Sequence, residues 1–180
     1  MPLRIFETRY VDMISSCMKN DTPFGVLLIR EGSETGPANT FDTGTVARIT
    51  DWYQGSDGLL GVTAIGQRRF RLRSAERQAD GLNVGDVELL DEEPVVELPP
   101  QFSQMAEILK GVLDSLGKLY ESLDKHYDDA VWLSYRFAEI LPIPPEQKQV
   151  YLEIEDPVER LGRISLVLRQ LRNSEEKSTT

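Results

Sequence analysis

The N-terminal half of the chain combines one amphipathic helix pattern with several short strand patterns. Between residues 6 and 19, apolar side chains recur at spacings of three and four, which predicts a helix with one apolar stripe. The stripe consists of Phe6, Tyr10, Met13, Ile14 and Cys17. Strand patterns follow at 24–29, 43–53, 59–66, 68–77 and 83–90. Because the turns between them are short, we expect a closed or nearly closed antiparallel sheet.

The C-terminal half changes to helical periodicity after an acidic, proline-bearing connector at 92–100. Apolar residues from Met105 to Leu123 predict one long amphipathic helix, and the segment 129–141 predicts a second helix that is apolar over much of its surface. A short helix is expected from Pro145, because proline suits the first helical position. The last helix should follow Asp156 as its N-cap. We therefore expect a helical bundle in which 129–141 is the buried member.

Together these patterns predict an α+β protein in two parts. A β-rich domain is expected over 1–98 and a helical domain over 99–173. The polar residues 174–180 are expected to form a disordered tail. With 180 residues and 40% hydrophobic content, the chain can bury one core, or one core with a satellite helical unit.

Composition argues against several kinds of site and partner. The net charge is −10, so phosphate-rich partners such as nucleic acid and anionic membranes are disfavoured. One cysteine and one histidine provide neither an internal disulfide nor a four-ligand zinc site, and we expect no metal and no cofactor. Apolar runs fall short of the roughly 20 residues of a membrane span. Without a signal-peptide pattern at the N-terminus, we expect a cytoplasmic protein.

Catalytic motifs are missing from the sequence, so we expect a protein that is not an enzyme. Neither a phosphate-binding Gly-x-x-x-x-Gly-Lys loop nor a Gly-x-Ser-x-Gly elbow occurs. Cys17 falls on the apolar stripe and is interpreted as a small buried hydrophobe. His126 lies in a connection between helices and is interpreted as a surface residue. Acidic pairs such as Glu92 and Glu93 are interpreted as solvated carboxylates of the connector.

Arginines crowd one predicted strand of this acidic protein. Strand alternation places Arg69, Arg71 and Arg73 on one face and Phe70 and Leu72 on the other. These three arginines are a candidate patch for anions or peptide carboxylates. Cross-strand neutralisation by acidic residues is the structural alternative, which we favour.

The register of that neutralisation follows from the turn that joins the strand to the next one. A two-residue turn at Asp80-Gly81 fixes which residues lie opposite each other. The expected pairs are Leu72 with Leu89, Arg73 with Glu88, and Arg69 with Glu92. Leu72 and Leu89 would then pack inside the sheet.

Short motifs along the chain resemble the N-terminal, substrate-binding domain of Lon proteases, in the order in which that family carries them. The N-terminal motif is Pro2-Leu3-Arg4-Ile5-Phe6-Glu7-Thr8-Arg9-Tyr10. The strand motifs are Phe24-Gly25-Val26, Gly44-Thr45-Val46-Ala47-Arg48-Ile49 and Gly66-Gln67-Arg68-Arg69-Phe70-Arg71. The helical motifs are Ala138-Glu139-Ile140-Leu141-Pro142, Glu146-Gln147-Lys148-Gln149 and Asp156-Pro157-Val158-Glu159-Arg160-Leu161. The set covers most of residues 2–170 and is similar to a stand-alone bacterial form of the domain.

The resemblance implies a PUA-like antiparallel β pseudo-barrel with one packed helix, followed by a C-terminal helical bundle. It also implies a non-catalytic module that recognises unfolded or damaged polypeptide, or an adaptor that binds another protein. A PUA-like nucleic-acid-binding module is the alternative, which the acidic charge disfavours. Thr8 stands where the family more often has proline. An apolar N-terminal strand of the family is expected to be missing, which would leave an open barrel edge for self-association or for a client strand.

Residues near this expected edge are the candidate peptide-binding site. Arg4, Glu7 and Arg9 should be free, because the apolar stripe of the first helix faces inward. Trp52 and Tyr53, near a hairpin tip, are candidate exposed anchors, with packing against a neighbouring helix as the alternative. Ion pairs that fix the helix to the barrel are the structural alternative for Arg4 and Glu7.

Overall fold

The chain folds into two compact units, Met1–Glu92 and Glu93–Thr180. The structure, a computed structural model, describes residues 1–33, 36, 38–117, 120, 121 and 123–178, with side chains as far as Arg172. All strands of these residues lie in the first unit, which we call the β unit, and the second is called the helical unit. The α+β class with antiparallel strand pairs is thus confirmed.

The β unit contains seven strands and one helix among the described residues. They are β1 (Pro2–Ile5), α1 (Thr8–Asn20), β2 (Phe24–Val26), β3 (Ile29–Gly32), β4 (Ala38–Thr40), β5 (Thr43–Gln54), β6 (Leu60–Arg77) and β7 (Asn83–Leu89). The main sheet has the order β1-β6-β5-β2, with β7 also paired to β6, while β3 and β4 form a separate pair. Since β6 spans 18 residues, it has room for β5 on one side and for both β1 and β7 on the other.

Strand β1, Pro2–Ile5, was not predicted, because these residues were interpreted as the opening of the first helix. Its residues pair with β6 from Pro2 opposite Thr63 to Ile5 opposite Leu60. The segment alternates exposed and half-buried positions, which is the period of a strand. The backbone groups just before α1 are therefore paired on the β6 side, whereas β1 has no second strand partner among the described residues.

The predicted register between β6 and β7 is wrong. Phe70 lies opposite Leu89 and Leu72 opposite Val87, and Leu89 is 48% exposed instead of packed inside. Two local features shift the register. The turn has three residues, 79–81, between the bonded ends Gln78 and Leu82, with Gly81 at a positive φ of 86°. An irregularity between Leu72 and Ser74 then moves the pairing by one more residue.

The expected ion pair of Arg73 nevertheless forms, because Arg73 lies at this irregularity and its guanidinium reaches Glu88. Both side chains are about half exposed. We expect Arg73→Ala to lower the free energy of unfolding by less than about 1 kcal/mol, because water screens exposed pairs. Urea denaturation followed by circular dichroism measures this difference. A loss above about 2 kcal/mol would mean that the arginine stem supports the sheet.

The helical unit contains four helices among the described residues. They are α2 (Ser103–Leu116), α3 (Ala130–Ile140), α4 (Pro145–Glu153) and α5 (Pro157–Ser178), and a 3-10 turn, Pro100–Phe102, precedes α2. The predicted helix to Leu123 is too long, because α2 ends at Leu116 before Gly117 at φ 56°. Leu119 lies outside the described residues. None of the described helices is both long and apolar enough to span a bilayer.

The core of the helical unit lies around α3, as the sequence predicted. Leu133 and Phe137 on α3 are buried with Leu109 on α2 and with Leu161 and Ile164 on α5. The predicted cap is confirmed, because Asp156 Oδ1 accepts from Val158 N at 2.8 Å; Asp129 Oδ1 likewise accepts from Val131 N at 2.9 Å and caps α3. The backbone of α5 continues to Ser178, within the segment predicted as a tail, and residues 179–180 lie outside the described part.

Candidate functional site

The tip of the β5–β6 hairpin exposes two adjacent aromatic side chains. Trp52 is 57% exposed and Tyr53 is 49% exposed. Trp52 lies opposite Val62, which is fully buried, whereas Tyr53 lies opposite Gly61. Because successive strand residues point to opposite faces, the two rings lie on different faces of the hairpin. They cannot form a single flat aromatic patch.

On the Tyr53 face, three strands bring a ring, a glycine and a cation together. Gly61 on β6 lies opposite Tyr53 on one side and opposite Arg4 of β1 on the other. The phenol ring lies across Gly61 so closely that a side chain there would collide with it. The Arg4 guanidinium forms an ion pair with Asp57 in the hairpin turn. A shallow depression of about 280 Å³ lies among these groups.

On the Trp52 face, the indole borders a second depression of about 320 Å³ beside α1. Met18, which is 39% exposed, and Cys17 contribute to its lining. An exposed pair between Arg48 and Asp21, at 3.4 Å, lies at the same depression. This face thus offers an apolar contact surrounded by charged groups, a composition found where proteins hold the side chains of other polypeptides.

Arg9 and Glu7 are not free, which corrects the expectation from the helix pattern. Arg9 is buried, donates from Nη1 to the carbonyl of Gly81, and pairs with Glu7 at 2.9 Å. Its guanidinium carbon also lies 4.6 Å from the centre of the Tyr10 ring. These contacts fix the start of α1 to the β6–β7 turn. The predicted inward stripe fails at its first member, since Phe6 is 58% exposed.

The candidate anion patch is divided by its own contacts. Arg73 is paired with Glu88, and Arg71 lies opposite Glu88 in the sheet register. Arg69 is half-buried and takes part in contacts of its own, and the predicted register is wrong here because Leu90, not Glu92, bonds to its backbone. The neighbouring Arg68 donates to the carbonyl of Leu90 at 2.9 Å. A continuous exposed arginine surface is therefore not formed on this strand.

One buried charged cluster in the helical unit was not foreseen. Arg160 on α5 is fully buried, and its Nη2 lies 2.8 and 3.0 Å from the two carboxylate oxygens of Glu93. The hydroxyl of Tyr135 donates to the same carboxylate, and its ring lies 3.9 Å from the guanidinium carbon. Glu93 is therefore not the solvated connector residue that the sequence suggested.

The remaining donors of Arg160 are also satisfied within the helical unit. Nε donates to the carbonyl of Tyr151 at 3.0 Å and Nη1 donates to Ser134 Oγ at 2.9 Å. Nη2 also contacts the carbonyl of Ile154. Each of the three guanidinium nitrogens thus has a partner, which indicates a structural anchor, because a buried charge is tolerated when it is paired and hydrogen-bonded. In the sequence, the only indication of this buried cluster was that Arg160 stands next to Leu161 in the first turns of the predicted last helix, and that signal is weak.

Groups suited to acid–base or metal chemistry are not clustered among the described residues. No group of three or more potential metal ligands occurs in that part of the chain. Cys17 is buried with Sγ 3.8 Å from the carbonyl of Pro23, as a small hydrophobe would be, and His126 is exposed at 6.2 Å from the Trp132 ring centre.

Three phenols of the helical unit have a pKa above its usual value. Burial raises the pKa of Tyr151 and of Tyr127, where the charge of Asp114 adds to the effect. Burial and the Glu139 carboxylate raise the pKa of Tyr120. Raised values make these side chains poorer acids at neutral pH, so they are not poised for proton transfer.

The described residues thus define a two-unit α+β protein that exposes an aromatic hairpin and sheet edges. Residues 1–170 match the family model for the substrate-binding domain of the ATP-dependent protease La (LON). The chain belongs to this family, which confirms the resemblance found in its motifs.

Solved structures of similar domains support the same assignment. A Lon N-terminal domain protein from Xanthomonas campestris is 32% identical, with a TM-score of 0.76, and the match covers 92% of this chain and 88% of that one. The N-terminal domain of a Mycobacterium avium complex Lon protease is 15% identical, with a TM-score of 0.59 over 91% of this chain and 86% of that one. The second likeness concerns the fold alone.

Proposed function

We propose that the protein is a non-catalytic polypeptide-recognition module that binds unfolded or damaged protein, directly or as an adaptor. The observation that carries this proposal is the pair of exposed aromatic side chains, Trp52 and Tyr53, on a hairpin of the β unit. Membership of a substrate-binding domain family gives the proposal its direction. The proposal includes the fold that the family resemblance implies, with a PUA-like pseudo-barrel for the β unit and a helical bundle for the helical unit.

Contact energetics favour the hairpin as an anchor for apolar client side chains. Covering a large aromatic side chain contributes roughly 1.5–3 kcal/mol, and tryptophan and tyrosine are frequent hot spots of binding. Both residues lie in β5, and pairing with β6 already holds their backbone, so little backbone freedom is lost on binding. Arg4 and Asp57 supply a charged rim, and Glu7 with Arg9 support the nearby start of α1.

Nucleic acid is the less suitable partner. The chain carries a net charge of −10, and the arginine strand is divided by its contacts with Glu88 and Leu90. Binding to the phosphate backbone requires unpaired cations and falls steeply as salt increases. Binding of unfolded protein through aromatic contacts depends weakly on salt, so salt dependence separates the two functions.

The proposal predicts that Trp52→Ala weakens binding to a reduced and carboxymethylated protein, which cannot refold, by about tenfold, the effect of a central aromatic contact. Fluorescence anisotropy of the labelled unfolded protein measures the affinity at low and high salt. Leu166→Ala, which removes a side chain with the same 57% exposure from α5, is the matched control and should change the affinity little. Equal affinities of both variants and the wild type would refute the hairpin site. Failure of the wild type to bind any unfolded protein would refute the function.

A further inference from the structure

The outer edge of β7 is a long strand edge without a partner among the described residues. β7 pairs with β6 on one side only, and all of its seven residues are exposed. The hydrogen bonds at its ends fix which backbone groups face outward. Gln78 N donates to Leu82 O at 2.8 Å, and Leu90 N donates to Arg69 O at 3.0 Å. Residues 82 and 90 therefore bond towards β6.

Backbone bonding alternates along an antiparallel strand, so the even-numbered residues of β7 bond to β6. The odd-numbered residues, Asn83, Gly85, Val87 and Leu89, turn their N–H and C=O groups away from it. The irregularity near Ser74 adds one residue to β6 and none to β7, so the alternation of bonding along β7 is not interrupted. The outer edge thus presents four donors and four acceptors, with no proline among them.

The side chains of β7 divide the same edge into an apolar face and an acidic face. Val87 and Leu89 lie opposite Leu72 and Phe70, so they extend the apolar face of the sheet and are 45% and 48% exposed. On the other face, Glu88 contacts Arg73, and Asp86 Oδ2 accepts from Ser74 Oγ at 3.1 Å. β7 itself contains two acidic residues and neither lysine nor arginine. A strand that adds to this edge meets Val87 and Leu89 on one face and the carboxylates of Asp86 and Glu88 on the other, with Arg71 and Arg73 one strand further in.

The other edges of the main sheet are less suited to strand addition. On β1, Met1 exchanges bonds with Ala64, so the alternation turns Pro2 and Arg4 outward, and proline has no N–H to donate. β2 has only three residues, Phe24–Val26. A second copy of β7 would place Asp86 and Glu88 of both chains along one face, where like charges oppose pairing.

We infer that β7 is a strand-addition site for an extended polypeptide segment that alternates apolar and basic residues. Backbone bonds to the four outward residues hold the segment, Val87 and Leu89 contact its apolar side chains, and Asp86 and Glu88 attract its cations. The inference rests on the proposed function for its class of ligand, but it adds a second site, separate from the Trp52–Tyr53 hairpin.

The test uses a capped seven-residue peptide of alternating valine and lysine, with a valine–glutamate peptide of the same length as its control. Nuclear magnetic resonance of the unmodified protein should show slower exchange of the outward amides 83, 85, 87 and 89 when the lysine peptide is added. Val87→Pro removes one outward donor where an edge strand tolerates proline, and should weaken peptide binding by about tenfold. Val87→Thr keeps the donor and should stay within about twofold of the wild type.

Each outcome decides for or against the β7 site. Protection of other amides only, equal affinity for both peptides, or unchanged binding by Val87→Pro would overturn it. Protection of the β7 amides that depends on protein concentration and needs no peptide would identify a second copy as the occupant and would also overturn it. Binding of carboxymethylated protein that depends on Trp52 but not on Val87 would leave the proposed function standing without this site.

Discussion

Replacing Arg160 with methionine should lower the free energy of unfolding by about 3–5 kcal/mol, as loss of one partner of a buried ion pair does. The change leaves the carboxylate of Glu93, whose side chain is 11% exposed, without its cation. It also removes the donors that reach Ser134 and the carbonyl of Tyr151. Methionine approximates the length of the arginine stem, so the cost reflects lost bonds more than an empty cavity.

Urea denaturation followed by the fluorescence of Trp132, on α3, measures this loss in the helical unit. Arg163→Met is the matched control. Arg163 lies three residues after Arg160 on α5, and it forms an exposed ion pair with Glu159 at 2.7 Å. It should cost under about 1 kcal/mol. A double variant, Glu93→Leu with Arg160→Met, should recover part of the stability, since no charge is then left buried alone. Equal effects of the two single variants would contradict a structural anchor at Arg160.

Phe70→Ala should lower the free energy of unfolding by about 3–5 kcal/mol, the usual cost of removing a buried phenylalanine. Phe70 is 2% exposed, and its ring lies against Gly44 of β5 and Gly25 of β2. A side chain on Gly25 would lie 3.1 Å from the ring, and one on Gly44 would collide with it. The ring therefore fills space that the glycines leave open, and its removal creates a cavity that these strands cannot refill.

Thermal unfolding followed by circular dichroism, with amide exchange to locate the loss in the β unit, checks this prediction. Leu72→Ala is the control on the same strand and face. Leu72 is half-buried, so its truncation should cost distinctly less than that of Phe70. A larger effect at Leu72 would show that the predicted interior pair of Leu72 and Leu89 describes the sheet better than the observed register.

Much of the architecture was predictable because it depends on local periodicity. The spacing of apolar residues predicted α1, α3 and α5 within a few residues, and Asp156 was identifiable as a cap because capping is a contact with the next turn. The resemblance of short motifs identified the family, since their order along the chain is a property of the sequence alone. The burial of Phe70 was also predictable, because strand alternation places it on the face away from the arginines.

Pairing and burial were decided by the tertiary structure. The β6–β7 register depends on a three-residue turn and on an irregularity near Ser74, and a single inserted residue changes every pair beyond it. Arg9 was expected to be free on its helix, but the turn at Gly81 provides a carbonyl that holds it. β1 was missed because four residues show too little periodicity until β6 lies beside them.

The sequence by itself determined the α+β class, the positions of most helices and the family, because helical periodicity, capping and motif order act over a few neighbouring residues. Only the tertiary structure decided that Glu93 and Arg160 form a buried pair, since 67 residues separate them and no local pattern marks either one. It also decided that Trp52 and Tyr53 are exposed on opposite faces and that β7 keeps an outer edge. Exposure depends on which distant segments cover a residue, and that information arises only when the chain has folded.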